Sequence, residues 1–140
     1  MALSKLGTTL RARGVHVINV DVYLEIQDLF RFRWDPAILA VVAERPYRFR
    51  ALLTRLQAQV LEAQIGDHIN DNALTRGLHR LQHANHVEST TVKVGRREVP
   101  VYTITADGLE QLKTYGAFID TYQRINATDP TAETRGTEPR

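Results

Sequence analysis

Asn72, Arg76, His79 and His83 recur at helical spacing within the stretch NDNALTRGLHRLQH, residues 70–83. At about 100° per residue they fall on one side of a helix, with Thr75 and Arg80 on its two flanks. A carboxamide and a guanidinium can each bridge two adjacent acceptors on a flat edge, and imidazoles add further donors. No carboxylate follows Asp71 in the stretch. An ordinary solvated face mixes Glu with Lys for i,i+4 pairing, so a face of donors alone suits a polyanion or a base edge better than water. Two other readings stay open. The helix is simply a basic surface helix, or His79 and His83, at i,i+4, share a Zn²⁺ or Ni²⁺ with His86 or Glu88 nearby.

Catalysis finds little support. Ser4 and Ser89 are the only serines and there is no cysteine, which removes thiolate chemistry, disulfides and thiol redox sensing together. G-x-S-x-G, P-loop and G-x-G-x-x-G patterns are absent, so the expectation is a non-enzyme without a cofactor. The 140 residues are 43% hydrophobic, enough for one domain with a core. Arginine outnumbers lysine, the net charge is +2 and the isoelectric point is about 9.1, a lean toward phosphate and guanine. No apolar run has signal-peptide or membrane-span length, so the expected home is a reducing cytoplasm with no membrane partner.

Elements must now place those side chains. Residues 1–18, with Lys5, Arg11 and Arg13, read as a loose basic arm, and 126–140 as a disordered tail without large apolar residues. Between them, 19–125 reads as one domain. A helix is predicted over about 19–33 on Val22, Ile26, Leu29 and Phe30. In WDPAILAVVAERP, Asp35 is the expected N-cap, Pro36 the first helical residue, and Arg45-Pro46 the stop. Phe49, Leu52, Leu53, Leu56 and Val60 predict the next helix, with Gly66 as its C-terminal cap. Asn70 caps the helix of 70–84, Ile69 and Leu74 are spaced as a hydrophobic staple, and Leu74, Leu78 and Leu81 form its buried stripe. Asn85 tolerates a left-handed ending.

Residues 87–105 alternate on both sides of Gly95 and read as a hairpin, with Pro100 demanding a strand edge at its position. Two helices joined by a short connection, followed by a ribbon with Arg96 and Arg97 at its tip, make a helix-turn-helix with a wing. The last helix, about 107–125, is apolar over too much of its girth. Leu109, Leu112, Gly116 and Ile119 make one stripe, and Tyr115, Phe118, Tyr122 and Ile125 widen it toward a second chain.

These blocks resemble the HxlR-type family of bacterial winged helix-turn-helix regulators. Trp34 followed by Ile38-Leu39, PYRFRALL at 46–53, LTRGLHRL at 74–81 and YTITADG at 102–108 occur in the family's order. Departures are Ile104 for leucine, Ala51 for glutamate, Asn85-His86-Val87 for Gly-Leu-Val, Ser89 for a basic residue, and a longer connection between the paired helices. The resemblance, with MarR and PadR types as broader relatives, implies a mainly α fold with a small β-hairpin wing. It further implies a homodimeric, sequence-specific regulator on double-stranded DNA.

On that reading, Arg76 serves guanine and Asn72 adenine, Thr75, His79, Arg80 and His83 serve base edges or phosphates, and Lys93, Arg96 and Arg97 serve backbone or minor groove. The expected dimer interface is Phe30, Tyr115, Phe118, Tyr122 and Ile125. A small-molecule effector of unknown identity is left open by the aromatics Phe30, Trp34, Tyr115, Phe118 and Tyr122, whose plainer role is core and interface. A winged helix that binds RNA or protein, or a metal-responsive repressor using His79 and His83, is the alternative.

Overall fold

The computed structural model describes residues 18–63 and 66–127, and residues 1–17 of the expected arm, together with 128–140 of the expected tail, lie outside them. The chain divides into two units at Arg33/Trp34, each taken by itself below. The first holds α1 (Val20–Leu29), capped by Asn19, whose side-chain oxygen accepts from the Val22 amide at 3.2 Å. Its helix is shorter than the predicted 19–33, ending where Phe30 leaves the helical region at φ −102°, ψ 22°. None of its residues is buried.

The second unit is built around α2 (Asp35–Val42), whose Ile38, Leu39, Val41 and Val42 are all buried. Two-residue β1 (Tyr47–Arg48) leads into α3 (Phe49–Glu62). Then come α4 (Asp71–His83), β2 (Val87–Val94), β3 (Arg97–Ile104) and α5 (Ala106–Ala127). Leu52, Leu53, Leu56 and Val60 from α3 and Leu74, Leu78 and Leu81 from α4 close the core with Ile69, Tyr47 and Val87. Helix α2 packs on α3, α4, α5 and β3, so it is the hub of the unit.

Three corrections to the expected ends have local causes. Trp34, not Asp35, is the N-cap of α2; its carbonyl accepts from Ile38, and Asp35 occupies the first helical position with its side chain drawn elsewhere. Helix α3 stops at Glu62 with Ala63 as its cap, so Gly66 lies beyond the ending and lacks the positive φ of a left-handed cap. Helix α5 runs through Ala127, two residues into the expected tail.

The order β1–β3–β2 makes an antiparallel sheet with β3 in the middle. Gly95 at φ +65° and Arg96, which stays on the negative side, close the β2–β3 hairpin as a II′-type two-residue turn, so Arg97 belongs to the strand and not to the tip. Strand β1 stops at the register of Val101. Beyond it no strand among the described residues pairs with β3 on that side, and there Pro100 sits, at an edge within a central strand. All of β2 after Val87 is exposed, so the hairpin stands clear of the core as a wing.

Candidate nucleic-acid interface

Asn70 anchors the start of α4, its side chain accepting from the Ala73 amide at 2.8 Å. Ile69 and Leu74, at staple spacing, are both fully buried. The end of α4 is equally defined. Asn85 adopts φ 63°, and the amides of His86 and Asn85 reach the carbonyls of Leu81 (2.8 Å) and Gln82 (3.0 Å), the paired bonds of a Schellman ending. Between these caps Leu74, Leu78 and Leu81 face the core, and Asn72, Arg76, His79 and His83 are all exposed. Their side chains form no hydrogen bond or ion pair among the described residues. Thr75, on one flank, is half-buried.

Arg80, on the other flank, is engaged otherwise than expected. Its Nε donates to Asp35 Oδ2 at 3.0 Å and one terminal nitrogen donates to Oδ1 at 2.7 Å, a two-pronged pair in which the Asp35 side chain is only 10% exposed. The guanidinium is thereby committed to the head of α2, in place of the expected base or phosphate. Gly77 explains itself at the same spot. A Cβ there would lie 2.5 Å from Ile38 Cδ1 and 3.3 Å from Asp35 Oδ1, so glycine lets α2 lie this close to α4 without displacing the tip of the Ile38 side chain.

The wing carries its cations on different faces. By strand alternation and the register Val94↔Arg97 and Lys93↔Glu98, Arg97 shares a face with Val92, Val99 and Val101. Lys93 shares the opposite face with Ser89, whose hydroxyl accepts from Gln82 of α4 at 3.3 Å. Lys93 therefore projects on the α4 side, Arg97 on the outer side, and Arg96 from the turn.

A basic cleft of about 850 Å³ escaped the sequence reading. Arg45, Arg48, Arg50 and Arg55 line it with Tyr47, Thr54 and Val101, where β1 meets the start of α3. Arg55 holds Glu44 by two hydrogen bonds (3.1 and 3.3 Å), and the Tyr47 hydroxyl donates to the same carboxylate at 2.9 Å. The Arg55 bonds, then that of Tyr47, hold the Glu44 carboxyl below its usual range, and the Arg55 guanidinium is shifted upward in turn. Arg45 stacks 3.9 Å from the Tyr47 ring centre. Arg50 reaches Asp71, the first residue of α4, at 3.1 Å and thus joins the cleft to the start of that helix. The Arg48 side chain has no ion pair among the described residues. The signal available in the sequence was the run RPYRFR, five residues of which are basic or aromatic around Pro46.

The apolar girth of α5 is divided differently from the expectation. Tyr115 is 6% exposed within this subunit and Gly108 is buried, so the inward stripe runs Gly108–Leu112–Tyr115, and Tyr115 leaves the expected dimer set. Phe118, Ile119, Tyr122 and Ile125 are exposed, as is Leu109. At the start of α5, Thr105 accepts from the Gly108 amide at 2.9 Å and donates to the Asn85 carbonyl at 2.6 Å. Asn85 also donates to Asp107 at 3.1 Å. Among the described residues no three histidine, aspartate or glutamate side chains gather to hold a metal, and His79 with His83 stand as a pair on an open face. No described helix is long and apolar enough to cross a membrane.

No family model and no curated protein matches the sequence. Solved structures do share its fold. A transcriptional regulator from Clostridium thermocellum aligns with TM-score 0.56 at 16% identity, over 70% of this chain and 93% of that one. A PadR-like transcriptional regulator from Bacillus cereus gives 0.54 at 19%, over 70% and 95%. Bacillus subtilis PadR in complex with operator DNA gives 0.51 at 16%, over 58% of this chain and 45% of that one. The described residues, five helices with a small three-stranded sheet, share the winged-helix fold of these neighbours.

Proposed function

We propose that the chain is a transcriptional regulator that reads double-stranded DNA by laying α4 in the major groove. One observation carries this: an exposed row of Asn72, Arg76, His79 and His83, free of intramolecular polar partners, backed by a buried leucine stripe and fixed by a cap at each end. Such a row costs nothing to withdraw from other contacts and matches the donor and acceptor pattern of base edges. The fold likeness supports it, because one neighbour is held with operator DNA. Thr75 contributes from its flank, Arg96 and Arg97 reach backbone or minor groove, and Lys93 reaches the backbone beside α4. Arg48 and Arg50 add phosphate contacts where the cleft adjoins the first turn of α4.

The regulator acts as a homodimer on a pseudo-palindromic operator, with recognition helices about 34 Å apart. The exposed Phe118, Tyr122 and Ile125 of α5 supply the surface for it. Among winged-helix types the sequence blocks favour the HxlR kind, Thr105 and Gly108 of YTITADG being where the wing is stapled to α5. Selection of genomic fragments with purified protein, followed by footprinting, tests the reading. Protected, twofold-related sites of shared sequence are expected; binding that ignores sequence, or equal affinity for double-stranded RNA, would replace it with an RNA-binding or non-specific role.

A further inference from the structure

We infer that Asp35 and Arg80 form a positioning clamp that fixes the rotation of α4 about its own axis, so that Arg80 serves base reading without touching DNA. The inference rests on the DNA-reading proposal and extends it to a residue pair outside the reading face. The leucine stripe secures burial of α4, but apolar contact is non-directional and tolerates some rolling of a helix. Reading does not tolerate it. With side-chain tips at about 6 Å from the axis, a roll of about 20° moves them by about 2 Å, enough to break a base contact.

Arg80 sits at the seam where such a roll can be stopped. On the helical wheel it lies about 40° from Arg76 of the reading row and about 60° from Gly77 of the buried stripe. Its planar fork engages both oxygens of Asp35 at 2.7 and 3.0 Å, which defines direction as well as distance. Asp35 is itself rigid, being the first residue of the hub helix α2 and nearly sealed from water. Gly77 brings α2 and α4 close enough for the fork to reach.

The test is a double-mutant cycle on operator discrimination, using full-length Asp35→Asn, Arg80→Met and the double variant. Thermal unfolding confirms that each is folded, and affinity is measured for a selected operator duplex and a scrambled duplex across a salt series. A clamp predicts that either single change lowers the specific-to-scrambled affinity ratio by about tenfold. It also predicts that the scrambled-duplex salt slope stays put and that the double variant is no worse than either single. Arg80→Lys keeps the charge beside Asp35 but lacks the fork, so it should fold and still lose discrimination, which keeps the idea testable if Arg80→Met does not fold. If Arg80→Met weakens both duplexes alike with a slope smaller by about one, while Asp35→Asn leaves discrimination intact, Arg80 is a phosphate contact and the clamp is wrong. A wild-type chain without preference for any duplex overturns the DNA reading itself, and the clamp with it.

Discussion

Replacing Gly108 by alanine should destabilise the protein although it puts the best helix former into a helix. The alanine Cβ would overlap the carbonyl oxygen of His86 and come within 2.7 Å of Ile104 Cγ1. The first of these is backbone, held in place by the left-handed Asn85 and by the amide of Thr105, which donates to it at 3.0 Å. Relief therefore requires the start of α5 to back away, stretching the Gly108–Thr105 and Thr105–Asn85 hydrogen bonds. Overpacking of this kind costs about 1–3 kcal/mol. Two weakened hydrogen bonds add about 1–2 kcal/mol, and the helix preference of alanine returns about 1 kcal/mol. The net is a loss of about 1–4 kcal/mol, which at a slope of about 2 kcal/mol/M is a fall of roughly 0.5–2 M in the urea midpoint. Gly116 in the same helix is the internal control, because a Cβ there meets nothing within 4 Å. Gly116→Ala should stabilise by about 0.5–1 kcal/mol. If the two alanines shift the midpoint in the same direction, the docking of α5 on the end of α4 has been misread.

Other consequences are open to direct measurement. Arg76→Ala should weaken operator binding by about 1–3 kcal/mol and relax one base position in a selection experiment, with little effect on scrambled duplex. Arg96→Ala, Arg97→Ala and Arg48→Ala should instead weaken all sequences together, each lowering the salt slope by about one in titrations from low to moderate ionic strength. Glu44, whose carboxyl is held below its ordinary range by Arg55 and Tyr47, contributes stability above the unfolded carboxylate pKa that is lost as pH falls through the folded one. The stability gap between wild type and Glu44→Gln should accordingly be open at neutral pH and close in acid, as followed by urea unfolding at a series of pH values. Replacing Tyr122 and Ile125 by serine should convert a dimer to a monomer in sedimentation velocity while leaving the circular dichroism of the subunit unchanged.

What the sequence made legible was whatever is encoded within a turn or two of itself. The leucine row of α4, the Asn70 cap, the left-handed Asn85 and the hairpin around Gly95 each rest on neighbours in the chain. Arg80 was misassigned because its partner lies 45 residues away, and helical spacing reports an angle on a wheel without reporting what stands opposite. Tyr115 was misassigned for a related reason. Helix α5 carries apolar residues on more than one stripe, so periodicity could not say which stripe faces inward, and the glycine at 108 decides it by letting one side approach the His86 carbonyl. The arginine cleft went unread for another reason: RPYRFR groups Arg45, Arg48 and Arg50 locally, but β1 is only two residues long, and what shapes a cleft around them is its pairing with the distant Val101 and the side of α3 that carries Arg55.

The proline at position 100 governs how copies of this chain can meet. Past Val101 no strand among the described residues pairs with that flank of β3, and an open flank of that kind invites strand from a neighbouring molecule to add on. Pro100 sits at the mouth of that gap without an amide hydrogen to offer, so a ladder begun there is missing a rung at its outset. Growth of sheet onto sheet at that flank, which has no natural end, is thereby disfavoured.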